Sequence, residues 1–150
     1  KIAVIERHHN TGHIGNAFIK GIGLKEGAIA SSVAHDSHNL IVIGTNTDDM
    51  AFAANRIREL GGGIVSVKNG KVVAEMPLPI GGLMSCETAE RAAEENEKAR
   101  ESVYSLGVPK GFEPFMIMSF LSLPVIPHLK LTTKGLVNVD TQRKVPLAAE

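Results

Sequence analysis

The sequence contains no tryptophan, one tyrosine and one cysteine, and aromatic residues make up only 4% of its 150 positions. Such a scarcity of aromatic rings argues against a surface that stacks nucleic-acid bases. Lysine plus arginine and aspartate plus glutamate number 16 each, so the formal charge is zero. A neutral chain lacks the basic field that attracts phosphate backbones or anionic membranes. These shortages predict a protein that binds neither nucleic acid nor a membrane surface.

The chain also lacks the features of an exported or membrane protein. A single cysteine, Cys86, cannot form an internal disulfide, which favours a reducing cytoplasm. The longest apolar stretch, residues 115–126, is interrupted by serines and a proline and is shorter than the ~20 residues of a membrane-spanning helix. The first residues have no signal-peptide pattern. Because the chain opens on Lys1 rather than methionine, we expect a piece of a longer protein.

The patterning predicts one α/β domain of residues 1–150, with a mixed β-sheet and two main helices. Asn46 can cap a helix that ends at the glycines after Leu60, and Ser85 or Thr88 begins a longer helix that runs to about Leu106. The Asn69-Gly70 pair predicts a hairpin. We expect strands at residues 2–5, 17–22, 27–33, 40–43, 64–67 and 71–74, strand or core segments at 115–121 and 129–131, and a short last strand at 136–139.

The first candidate site is the segment Ala34-His35-Asp36-Ser37-His38-Asn39, which lies between two apolar strands. A simple turn requires an aspartate or asparagine, but not two histidines as well. One interpretation is a loop aimed at a small-molecule site, where imidazole groups carry protons or donate hydrogen bonds. The alternative is a polar turn whose members satisfy one another. Two histidines are too few for a metal site, which takes about three or four ligands.

The second candidate segment follows the first strand and reads Glu6-Arg7-His8-His9-Asn10-Thr11-Gly12-His13. His9 and His13 have the spacing of paired zinc ligands on a helix, but the intervening Asn-Thr-Gly breaks helices and lacks the required glutamate. Arg7 and His8 at the end of a strand are suited to the polar rim of a pocket, and a plain solvated loop is the alternative. The chain has no H-x-H pair and no C-x-x-C, so we expect it to bind no metal itself.

Seven segments, spread over nearly the whole chain, form a specific pattern. They are VIERH at residues 4–8, FIKGIGL at 18–24, GAIASSVAHDSHN at 27–39, IGTNTDDM at 43–50, GGGIVSV at 61–67, LPIGGLM at 78–84 and LPVIPHLKLTTKGLVNV at 123–139. Together they resemble the C-terminal domain of microbial adenine deaminases. The resemblance implies an accessory domain that follows a TIM-barrel, metal-dependent amidohydrolase. It implies hydrolysis of adenine to hypoxanthine and ammonia, in purine salvage, at a manganese or iron site on that barrel. None of the barrel's ligands has a matching position here.

On this resemblance, the candidate catalytic residues are His35, Asp36 and His38, and the candidate substrate-binding residues are Asn39, Ser37, Arg7 and His8. The implied partners are adenine, the missing barrel and further copies of the chain in a homo-oligomer. Two alternatives stay open: a module that only stabilises the oligomer, and an independent enzyme that uses its own histidine loop. An uncovered apolar patch where the barrel belongs is also expected, with Met84, Phe112, Phe115 and Met116 as candidates.

Overall fold

The structure is a computed structural model that describes residues 1–147. Its main element is a six-stranded sheet with the strand order β2-β1-β4-β3-β5-β6. The strands are β1 (Ile2–Ile5), β2 (Ile14–Ala17), β3 (Ala28–Ser31), β4 (Leu40–Gly44), β5 (Gly63–Lys68) and β6 (Lys71–Pro77). Every residue of β3 and β4 is buried, as the continuous apolar sequence of β4 predicts for a strand covered on both faces.

The combination of strands and helices in one α/β domain is confirmed, but the sheet is antiparallel rather than mixed. All five pairings between neighbouring strands are antiparallel. Short connections account for the pairs β1–β2, β3–β4 and β5–β6, since parallel neighbours require a crossover of about a dozen or more residues. The pairs β1–β4 and β3–β5 join strands that are not consecutive in the chain. The single helical crossover joins β4 to β5, and β3 lies between these two strands. The two strands therefore run in the same direction without touching.

Helix α1 (Thr47–Leu60) covers one face of the sheet, and it begins and ends where the sequence predicts. The Asn46 side chain accepts a hydrogen bond from the Asp49 amide at 2.8 Å, and Gly61 ends the helix with a φ of 76°. Met50, Ala53 and Ile57 are buried in a cluster with the β4 residues that point to this side, Leu40 and Val42. A helical stripe of apolar residues therefore packs on alternate positions of the strand.

Helices α2 (Ala89–Ser105) and α3 (Pro114–Phe120) cover the opposite face. Thr88 caps α2 as predicted, by accepting a hydrogen bond from the Arg91 amide. Val103, Leu106 and Met118 are fully buried against the remaining β4 side chains, Ile41 and Ile43. Among residues 1–147, no helix combines the length and apolar character needed to cross a bilayer.

Two predicted segments differ from the structure. The second strand covers Ile14–Ala17 rather than residues 17–22, and Phe18 is 79% exposed. For residues 115–121, predicted as strand or core, the strand is wrong and the core position is confirmed: residues 115–120 belong to α3, and Met118 is fully buried. Helix α3 begins with proline at its first turn. The last predicted strands are present as β7 (Leu129–Thr132) and β8 (Gly135–Asn138), which form a three-stranded antiparallel sheet with β9 (Arg143–Lys144).

The small sheet packs directly against β2 at Gly15. A Cβ atom on Gly15 would overlap the Thr132 carbonyl oxygen and lie 3.0 Å from the carbonyl carbon. We expect Gly15→Ala to lower the free energy of unfolding by about 1–3 kcal/mol, because the two sheets must separate. Urea denaturation measures the change, with the exposed neighbour Asn16→Ala as the control. Equal stability of the two variants would contradict this contact.

Candidate functional site

The polar turn, defined here as His35–Asn39, lies in the connection from β3 to β4, at one end of the two central strands of the sheet. Asp36 and Ser37 are exposed, whereas His35, His38 and Asn39 are half-buried. The buried strands on both sides fix the two ends of the turn. A site supported in this way keeps its side chains in a defined geometry.

Contacts from α3 hold the start of the polar turn. The His35 amide donates a hydrogen bond to the carbonyl oxygen of Ser119 at 2.7 Å. The His35 ring lies 5.0 Å from the ring of Phe120, centroid to centroid, and 5.5 Å from the ring of His38. Helix α3, which the sequence analysis did not identify, thus forms one wall of the candidate site.

The contacts of His38 indicate which ring nitrogen carries the proton when the imidazole is neutral. Its Nδ1 accepts a hydrogen bond from the Ala34 amide at 3.4 Å, so the ring proton belongs on Nε2. Burial lowers the pKa of His38, and the charges of His35 and Arg7 lower it further. The ring is therefore suited to donate a hydrogen bond through Nε2–H near neutral pH, rather than to accept a proton there.

Glu6 organises the second candidate segment, which follows β1. Its carboxylate accepts hydrogen bonds from the amides of His8, His9 and Thr11 and from the Thr11 hydroxyl, at 2.5–3.1 Å. These hydrogen bonds, of which the one from the Thr11 amide has the largest effect, lower the pKa of Glu6 to about 2. Burial acts in the opposite direction but is outweighed. The carboxylate is therefore a structural acceptor at neutral pH, and the segment is a loop with internal order.

The structure brings the two candidate segments together, although about 30 residues separate them in sequence. His8 Nε2 lies 2.6 Å from the carbonyl oxygen of Ser37, and Arg7 Nε donates to the carbonyl oxygen of His38 at 2.7 Å. The Arg7 amide donates to Asn39 Oδ1 at 3.4 Å. All seven candidate residues thus belong to one surface.

A third segment, Gly81-Gly82, completes this surface and was not identified as part of a site from the sequence. Arg7 Nη2 donates a hydrogen bond to the carbonyl oxygen of Gly81 at 2.6 Å. The Gly-Gly pair lies within LPIGGLM, and two adjacent glycines are the signal that indicates a close approach of backbone to another group.

A groove of about 440 Å³ lies beside the polar turn. Its lining includes Asp36, Ser37 and Asn39 from the turn and Lys134 from the β7–β8 connection. Val125 lines the same groove and is 72% exposed. Carboxylate, hydroxyl, amide and amine groups beside an apolar wall are suited to a small polar molecule or to a docked segment of protein.

Residues 1–147 contain no cluster of three or more histidine, cysteine, aspartate or glutamate side chains that could hold a metal ion. His9 and His13 are both exposed. His128 binds Asp140 at 2.7 Å, an exposed pair outside the polar turn. The described residues therefore offer no ligand set for manganese or iron.

The predicted apolar patch is half correct. Met84 and Met116 are 59% and 63% exposed, but Phe112 and Phe115 are half-buried and pack against the core. Phe112 precedes α3 and Phe115 lies on it, and both rings pack against the core, where burial of a ring is more favourable than exposure.

The sequence comparisons agree with one another. The family model described as "Adenine deaminase C-terminal domain" matches residues 1–143. "Adenine deaminase 2" of Carboxydothermus hydrogenoformans is 51% identical over 148 residues, which are 99% of this chain and 26% of that protein. "Adenine deaminase" of Brucella anthropi and "Adenine deaminase 1" of Rhizobium meliloti are 54% and 53% identical over 140 residues, 93% of this chain and 25% of each relative.

The chain spans about a quarter of the length of these relatives. The family model and the alignment with the first relative each cover nearly the whole chain. The matched region therefore includes the polar turn and the Glu6–Arg7–His8 segment. The chain belongs to the family of adenine deaminase C-terminal domains.

Proposed function

We propose that this chain acts as the C-terminal part of an adenine deaminase. The reaction is adenine plus water giving hypoxanthine plus ammonia, a step of purine salvage. The family match and the names of the relatives support this assignment. In this proposal the remainder of the protein, an amidohydrolase barrel, holds the manganese or iron that activates water. A cytoplasmic location is part of the proposal and is supported by the single cysteine.

The polar turn is the part of this chain that we place at the mouth of the barrel's active site. The observation that carries this proposal is the convergence of the polar turn with Arg7 and His8 on one surface. His38 Nε2–H is the candidate donor to an acceptor nitrogen of the adenine ring. Asp36 and Ser37 are exposed and offer a carboxylate and a hydroxyl to the substrate or its water. Asn39 is engaged with Ser37 and Arg7 and orients them.

A second candidate function is assembly, and a separate observation favours it. Met84, Met116, Phe120 and Val125 are large apolar side chains that are 39–72% exposed. Exposed apolar side chains that form a contiguous patch are typical of surfaces that are covered in an assembly. A module that stabilises the barrel or a homo-oligomer would use these residues, and the polar turn would then be an interface turn.

The test of the proposed function compares the purified 150-residue chain, the longer protein and the longer protein truncated before this chain. With manganese or iron supplied, we expect turnover of adenine by the longer protein and none by the chain alone. The truncated protein should lose activity even where it keeps its oligomeric state. Full activity after truncation would contradict a role at the active site, and metal-dependent turnover by the chain alone would make it an independent enzyme.

A further inference from the structure

The Arg7 guanidinium joins three segments that are far apart in sequence. Its Nε donates to the carbonyl oxygen of His38 at 2.7 Å, and its Nη2 donates to the carbonyl oxygen of Gly81 at 2.6 Å. These partners lie 31 and 74 residues away along the chain. The planar fork of an arginine can span two fixed acceptors in this way, whereas a lysine ammonium is a single point charge.

The packing around the Arg7 guanidinium is close. Burial lowers the pKa of Arg7, although an arginine stays charged at neutral pH. A Cβ atom on Gly82 would lie 2.7 Å from Arg7 Cζ and closer still to Nη2, so a side chain at this position would displace the guanidinium from its place. Gly82 also has a φ of 79°, a left-handed conformation that favours glycine.

The Gly81-Gly82 segment is itself attached to the core of the domain by Ser32. The Ser32 hydroxyl donates to the carbonyl oxygen of Gly82 at 2.6 Å and accepts from the Gly63 amide at 2.8 Å. Ser32 is fully buried, directly after β3. A continuous chain of hydrogen bonds therefore runs from the buried sheet through Gly82 and Gly81 to Arg7 and on to His38.

We propose that Arg7 is a positioning residue that fixes the backbone of the polar turn at His38, and that Gly82 and Ser32 hold Arg7 in place. This role differs from the substrate-binding role predicted for Arg7 from the sequence, because its Nε and Nη2 donors already bind backbone carbonyl groups. The proposal rests on the proposed function only in assigning His38 a part in turnover. The geometry of the turn can be tested without any substrate.

The first test measures the turn itself by NMR in the purified 150-residue chain. Arg7→Gln should shift the amide resonances of His38, Asn39 and Gly81 and raise the pKa of His38. The increase is expected because both the burial of His38 and the positive charge of Arg7 lower that pKa. The other charged groups that act on His38 are His35, Asp36 and His8, and they stay in place in this variant.

Two further variants separate geometry from charge. Arg7→Lys keeps the charge but cannot span both carbonyl groups, so it should perturb the turn as Arg7→Gln does. Gly82→Ala should displace the guanidinium and produce the same shifts. Combining Gly82→Ala with a substitution of Arg7 should shift the resonances of the turn no further. The matched control is Arg56→Lys, because Arg56 joins α1 to β6 through Glu75 and does not touch the turn. Wild-type turn resonances in Arg7→Lys, or additive effects of Arg7 and Gly82, would overturn the proposal.

Kinetics of the longer protein provide the last measurement. If Arg7 acts through His38, Arg7→Lys should lower kcat by roughly 10-fold or more with little change in KM, as loss of transition-state positioning does. The positioning role would be overturned if Arg7→Gln raised KM at unchanged kcat while Arg7→Lys kept the wild-type KM. That result would instead identify Arg7 as a substrate-binding cation. If the protein does not deaminate adenine at all, the NMR result still decides the positioning role separately.

Discussion

Replacing Asp49 with alanine is expected to lower the free energy of unfolding by about 3 kcal/mol, because three hydrogen bonds to a buried carboxylate are lost. Asp49 is 3% exposed and connects the start of α1 to the β5–β6 hairpin. Its carboxylate accepts hydrogen bonds from the Gly70 amide at 2.7 Å, the Asn69 amide at 3.2 Å and the Asn46 side chain at 2.9 Å. Urea denaturation followed by circular dichroism measures the loss.

The matched control is Asp48→Ala, since Asp48 occupies the same first turn of α1 but is exposed. That variant loses only a favourable interaction with the helix dipole, about 0.3–1 kcal/mol. Equal destabilisation by the two substitutions would show that the hairpin contact of Asp49 contributes nothing.

The pH dependence of stability tests the same carboxylate. Burial opposes ionisation, but the hydrogen bonds from Asn46, Gly70 and Asn69 outweigh it and hold the pKa of Asp49 below its usual value. A carboxyl group with a lowered folded-state pKa stabilises the protein above its unfolded pKa of about 3.9. That contribution is lost as the pH falls through the folded pKa. Asp49→Asn should therefore show a smaller loss of stability than the wild type as the pH falls below about 4.

Helix α1 and the β5–β6 hairpin could be predicted from the sequence because their signals are local. Asn46 caps the helix, the glycines after Leu60 end it, and Asn69-Gly70 defines the hairpin turn. Helix α3 could not be predicted in this way, because its apolar sequence is compatible with either a strand or a buried helix. Pro114 at its first turn and packing against the core determine the outcome.

The position of β2 and the antiparallel sheet depend on contacts between distant residues. Ile14–Ala17 contains a glycine and an asparagine, which have low intrinsic preference for strands. Pairing with β1 and close packing of Gly15 on Thr132 select this segment instead of the more apolar residues 17–22. Tertiary contacts of this kind have no signal in local periodicity.

The residues of the candidate site were identifiable from the sequence by type, but their arrangement was not. Two histidines beside an aspartate are unusual in a turn and mark His35–Asn39 directly. The contact of Arg7 with Gly81 joins positions 74 residues apart, so it depends on the strand order of the whole sheet. The tautomer of His38 likewise follows from the Ala34 amide and could be assigned only from the structure.

His38→Ala in the longer protein is expected to lower kcat/KM for adenine by about 100-fold, the usual effect of removing one preorganised hydrogen-bond donor. The fold should be retained, because His38 lies at the surface end of two buried strands. His35→Ala should also lower turnover, since its ring packs between His38 and Phe120. Steady-state kinetics together with circular dichroism separate lost catalysis from lost structure.

The pH profile adds a second criterion for His38. In the wild type, activity should fall as the pH drops through the lowered pKa of His38, because a proton on Nδ1 removes the acceptor for the Ala34 amide. His38→Gln can still donate a hydrogen bond, so it should retain more activity than His38→Ala. Because glutamine does not titrate, the activity of His38→Gln should no longer fall at acidic pH in this way. The control is His128→Ala, which removes an exposed histidine paired with Asp140 outside the turn. Wild-type kinetics in His38→Ala would leave the polar turn a structural connection and favour the assembly role.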